Sequence, residues 1–245
     1  MIPAWLADAA EEFWRRVGGE RPFPRDLGPV ASLGLPLTVV PLESLSIRMV
    51  DTWLTRRGGN YQFLCSDRAL RGCVIASRGV GAIFMDPSDS QDDRRYTVAH
   101  EIAHIVLDYL YPREQALAAF GEVIRHVLDG DRAPTPSERI DARLAEVPLG
   151  SYVNLLPRTA KGQIWNSSVL RSEERADRLA LELLAPLEVV EQHLTQPHGG
   201  RDVFLVTATE MLRTVFGLPD RAAHEYAERL GSRLGAPSTR QWLGL

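Results

Sequence analysis

The chain has 245 residues, 44% of them hydrophobic and 24% charged, a balance that excludes intrinsic disorder and allows one sizeable core or two small ones. A formal charge of -4 argues against a surface that holds polyanions by bulk attraction, so nucleic acid is a minor expectation. No apolar run of about 18 residues suggests a membrane span, and Met1-Ile2-Pro3-Ala4-Trp5 lacks the basic-then-apolar order of a secretory signal, so a cytoplasmic setting is expected.

Trp5, Leu6, Ala9, Phe13 and Val17 recur at helical spacing after Pro3, which predicts an amphipathic opening helix in a helical N-terminal extension, residues 1–35. Leu37 to Val40 reads as a short strand, and Leu42 to Arg57 as a helix closed by Gly58-Gly59. Cys73 to Ser77 and Val80 to Met85 are β-rich runs separated by Arg78-Gly79, the spacing of a two-residue hairpin loop. Cys65 and Cys73 are the only cysteines, too few for a disulfide scaffold; both read as buried thiols, with a local disulfide as the alternative.

Asp92 to Tyr109 predicts one helix, with acidic residues at its start where the dipole favours them. Pro112 can begin another, whose Leu117, Phe120, Ile124 and Val127 share a stripe before Gly130. Thr135-Pro136-Ser137-Glu138 has the form of a capping box for a further helix. Residues 147 to 170 show no sustained period and are expected to be mostly loop, whereas Ser172 to Ala185 is helical again and stopped by Pro186. Helices over 202–216 and 220–232 are expected in a C-terminal helical region, residues 187–245. The fold class is α+β, mainly helical, with a small sheet beside the Asp92 to Tyr109 helix.

That helix carries His100-Glu101-Ile102-Ala103-His104. Histidines four positions apart project from one helical face, so both imidazoles can converge on one Zn²⁺. Glu101 beside them can take a proton from a metal-activated water and deliver it to a leaving amine. With six histidines in the chain, a chance match to this pattern arises in about one such sequence in a hundred. The competing reading is a pair of satisfied core histidines with Glu101 as an N-terminal helix charge.

A catalytic zinc takes three protein ligands, so a third donor is needed. On the helix from Ser172, the residues Ala176, Leu179, Ala180, Leu183 and Leu184 define an apolar stripe, and Glu173 lies on or beside it. A carboxylate facing a core needs a cation or strong hydrogen bonds. Glu174 competes but points about 100° away by helical geometry, toward solvent. Asp177, one turn after Glu173, can accept a hydrogen bond from the outer nitrogen of a ligating histidine, or can pair with nearby arginines at the surface. His126, His193, His198 and His224 are weaker candidates, and Tyr152, Tyr111 and His198 remain open as stabilisers of an oxyanion. An edge strand, with Val80 to Met85 as the candidate, would hold an extended peptide by strand addition.

The string Arg95-Tyr96-Thr97-Val98-Ala99-His100-Glu101-Ile102-Ala103-His104, followed by Glu173-Glu174-Arg175-Ala176-Asp177 and Leu183-Leu184-Ala185-Pro186, resembles the ImmA/IrrE family of bacterial metallopeptidases. The resemblance covers about residues 36–186 and implies a zincin-like metallopeptidase domain with a zinc site of gluzincin type completed by Glu173. It further implies site-specific cleavage of a helix-turn-helix repressor. Two departures stand out: 69 positions separate His104 from Glu173, pointing to an insertion at about 112–170, and Ala185 occupies a position where methionine is common. The rival readings are a non-catalytic zinc-bound regulatory module and a DNA-binding module acting through the C-terminal helices. Residues 202–232 sum to -2, unlike a segment that must meet phosphates.

Overall fold

The computed structural model describes residues 2–59, 61–141, 147–158, 167–194 and 200–233. The architecture is α+β and mainly helical, with one mixed four-stranded sheet. Helix α1, Ala4–Arg16, is followed by α2, Leu27–Gly34, in which Asp26 caps by accepting from the Gly28 amide. Strand β1, Leu37–Pro41, leads to α3, Ile47–Thr55. The helix expected from Leu42 starts only at Ile47, because Ser46 is its N-cap and the Leu42 amide bonds to Met85 O at the sheet margin.

Strands β2, Leu70–Ser77, and β3, Val80–Met85, form the expected hairpin. Arg78 and Gly79 both have positive φ, 53° and 82°, as a type I′ turn requires. The sheet order is β1-β3-β2-β4, with β1 parallel to β3 and both other pairs antiparallel. Val80–Met85 is therefore an interior strand and not the edge expected for substrate: Leu37 pairs with Gly81 on one side while Ser77 pairs with Val80 on the other. Among the described residues the edges belong to β1 and to β4, Tyr152–Pro157, which lies inside the stretch expected to be loop. Alternation turns Tyr152, Asn154 and Leu156 to one face and packs Val153 and Leu155 on the other.

Helix α4, Gln91–His104, begins at Ser90, whose hydroxyl accepts from the Asp93 amide. From Thr97 to His104 every residue is buried, since the sheet covers one side and α8, Ser167–Leu184, the other. The expected break before Pro112 is absent. A π-helical turn, Ile105–Leu110, continues directly into α5, Tyr111–Phe120, so Pro112 sits in a first turn where its missing N–H is tolerated. The helix expected to run on to Gly130 is broken at Gly121, with φ of 72°, yet Leu117, Phe120, Ile124 and Val127 pack in one cluster as expected. A short α6, Arg125–Leu128, and α7, Pro136–Ile140, follow, the latter with the expected Thr135–Glu138 capping box.

Beyond α8 lie α9, Leu187–His193, α10, Arg201–Thr214, and α11, Asp220–Arg233. The largest core joins Phe13 of α1, Ile102 of α4, Leu179 of α8 and Leu212 of α10, so all three sequence segments share one hydrophobic interior. A second cluster, with Val50, Leu70, Ile75 and Phe84, fills the far face of the sheet. Cys73 is buried there, but Cys65 is exposed, and both are free thiols. Among the described residues no helix is long and apolar enough to cross a membrane.

Candidate metal centre

Helix α4 and helix α8 pack side by side, and this contact brings together His100, His104 and Glu173. The two histidine Nε2 atoms stand 3.1 Å apart. Glu173 Oε2 is 3.4 Å from His100 Nε2, and Glu173 Oε1 is 3.4 Å from His104 Nε2. A tetrahedral centre with bonds of about 2.0–2.1 Å places its donors roughly 3.3–3.4 Å apart, so the two nitrogens and the Glu173 carboxylate, one oxygen toward each ring, stand close to the spacing of one metal's ligand set. The group could hold a metal ion. Glu174 turns away, exposed and paired with Arg178.

Each imidazole is held from behind. His100 Nδ1 lies 2.9 Å from Asp177 Oδ1, which also accepts from the Tyr96 hydroxyl at 2.9 Å. His104 Nδ1 lies 2.8 Å from Asp108 Oδ2, and that oxygen accepts from Ser172 Oγ at 2.7 Å and from the Tyr152 hydroxyl at 3.3 Å. A carboxylate on Nδ1 keeps a proton there and turns Nε2 toward Glu173, where it becomes a metal donor once its own proton is displaced. Asp108 and Ser172 escape the sequence reading, although Asp108 follows His104 by the same four positions that separate the histidines.

These contacts set the charges. Burial pulls the His100 pKa down, but the bonds to Asp177 and Glu173 outweigh it and push the ring up to about 10. His104 is raised for the same kind of reason, by Asp108 and Glu173 against burial. Glu173 is driven up by burial and more strongly down by both histidines, to about 2. Four carboxyl groups, on Glu101, Asp108, Glu173 and Asp177, thus surround two imidazoles whose Nε2 atoms converge, a donor set that a divalent cation satisfies by displacing the imidazole protons.

Glu101 is fully buried, and neither carboxylate oxygen has a hydrogen-bond partner among the described residues. Burial pushes its carboxyl up to about 7, against the pull of His100 and His104. Asn154 on β4 has an Nδ2 that is also buried, and its side chain pulls the carboxyl down as the weakest of these influences. A buried carboxyl with a pKa near neutrality and open valences is suited to exchanging a proton with a bound water.

Among the described candidates for an oxyanion, Tyr152 comes nearest the centre, but its hydroxyl lies behind His104, 3.3 Å from Nδ1 and bonded to Asp108. Tyr111 lies away from it, its hydroxyl on Ala9 O and its ring under Arg16. His198 lies outside the described residues. His126, His193 and His224 are exposed and remote from the cluster. Compared with models of known protein families and with curated proteins, the chain matches none.

Proposed function

We propose that this chain is a zinc-dependent endopeptidase with a zincin-like core, which cleaves a regulatory protein such as a helix-turn-helix repressor. The observation that carries the reading is Glu101: a buried, unpartnered carboxyl beside three converging metal donors. A purely structural metal site needs no general base and closes its fourth position. The motif resemblance to the ImmA/IrrE family supports the substrate class.

His100, His104 and Glu173 would hold the ion, with Asp177 and Asp108 fixing the imidazoles. When bound there, zinc supplies a Lewis acid and a water of lowered pKa. Glu101 accepts the proton of the attacking water and passes it to the amine nitrogen as the peptide bond breaks. A substrate strand is best accommodated by β4, which among the described residues has a sheet partner on one side only and whose Tyr152 and Leu156 border the centre.

The decisive experiment is co-expression with repressor-like proteins encoded nearby, scored for a single cut. Glu101→Gln should keep the metal and lower cleavage by about 10²–10⁴-fold; undiminished cutting would remove Glu101 from the mechanism. Glu173→Ala should lose most of its bound metal, and unchanged metal content would point to a different third ligand.

A further inference from the structure

The metal centre opens into a cleft of about 760 Å³ that passes Tyr96 and ends at the start of α11. Among the described residues four arginines line it. Three are already neutralised: Arg158 by Asp86 and Asp89, Arg213 by Glu210 and Asp220, and Arg221 by Glu225. Arg71 is half-buried, yet its side chain has no hydrogen bond or ion pair with any described residue.

Its position comes from an irregularity in the sheet. Leu70 pairs with Pro157 and Gly72 with Leu156, so β2 uses two steps where β4 uses one, and Arg71 is the extra residue of a bulge. Leu70 packs with Cys73 and Ile75 in the second cluster while Gly72 faces Glu101, an order that plain alternation cannot give. The bulge takes Arg71 out of that cluster and sets it on the cleft wall beside Leu156 and Pro157. A guanidinium on a cleft wall without an anion is well shaped to receive a carboxylate in a two-point hydrogen bond.

We infer that Arg71 is a specificity-determining residue that binds a carboxylate of the substrate peptide, from an Asp or Glu side chain or from a chain end, and so selects which bond lies at the metal centre. The inference rests on the peptidase reading above. A single negative charge fits this cleft better than a phosphate, because Asp93 also lines it and meets Ser90 instead of a cation.

The test uses zinc-loaded Glu101→Gln protein, which binds without cutting. It is equilibrated with a randomised hexapeptide library, half carboxyl-terminally amidated and half free acid, and retained peptides are identified by mass spectrometry. Enrichment of Asp or Glu at one position in the amidated half marks a side-chain carboxylate; enrichment confined to the free-acid half marks a chain end. Adding Arg71→Ala should reduce the preference for acidic over neutral peptides about tenfold, the size expected of one charged hydrogen-bonded contact. Arg71→Glu should turn the preference toward Lys and Arg, and Arg71→Gln keeps the bulk of the side chain as a check on folding. Retention without an acidic preference, a preference unchanged by Arg71→Ala, or no retained peptide would overturn the assignment. Since nothing is hydrolysed in this assay, a failure of the Glu101-intact protein to cut any peptide counts against the peptidase reading alone.

Discussion

A Cβ on Gly72 would stand 2.6 Å from both Glu101 Oε1 and Thr97 Cγ2, closer than such atoms approach. Glycine here makes room for the Glu101 carboxyl and does not serve a turn, since its φ is not in the left-handed region. Gly72→Ala should therefore leave metal binding intact and displace Glu101, with a loss of peptide hydrolysis on the order of a hundredfold from a misplacement of about 1 Å. Equal turnover by the alanine variant would mean that the carboxylate tolerates relocation. Asp108 acts on the other side of the centre. Without a charged acceptor on Nδ1, His104 loses both its preferred tautomer and part of its basicity, so Asp108→Asn should weaken zinc binding about 10–100-fold in a competitive chelator titration. Asp177→Asn should do the same through His100. An affinity unmoved by either change would reduce both carboxylates to packing roles.

At the level of elements, α4 depends on its cap. Ser90 Oγ accepts from the Asp93 amide at 3.1 Å and donates to Asp93 Oδ2 at 2.6 Å, closing the exposed end of a helix whose other end is buried in the centre. Ser90→Ala should cost about 1 kcal/mol in denaturant unfolding without altering metal stoichiometry, and a cost near zero would show that tertiary packing alone fixes the first turn. The same helix explains what could be read in advance. Histidine spacing on a helix translates directly into a shared face, and Glu173 announces itself by its place on the apolar stripe of α8. By contrast β4 depends on a partner, β2, far away in the sequence, and its six residues are all half-buried, so neither face gives a clear alternating signal. The misassigned edge has the same origin: Val80–Met85 reads as a strand by composition, but its interior position follows from pairing with β1, which local pattern does not encode. Asp108 falls just past the uncharged flank Ile105-Val106-Leu107, in a π-helical turn that the helical period does not foresee.

Across the whole molecule, the N-terminal and C-terminal helices are joined to the helices of the candidate metal centre in one core, so gain or loss of a metal there should be felt in global stability. In the metal-free protein His100 is raised from 6.5 to about 10, so its contribution is complete below about pH 6.5 and fades as pH climbs toward 10. Glu101, raised from 4.5 to about 7, has the same sign: its protonated form is favoured by folding, and stability falls as it ionises. Glu173, depressed to about 2, works in the opposite direction but only below about pH 4.5, outside the window. Chelated protein should therefore show a falling Tm between pH 6.5 and 9. Zinc reverses the trend, because its binding needs neutral imidazoles and releases protons as it enters. Its stabilisation follows mass action, about 2.7 kcal/mol at a free concentration one hundred times Kd, and grows as Kd tightens with pH. Thermal melts across this range, with and without zinc at fixed free concentration, should thus diverge with rising pH. A chelated protein that instead gains stability from pH 6.5 to 9 would show that the imidazoles are neutral before any metal arrives, and that the four carboxylates around them are balanced in some other way.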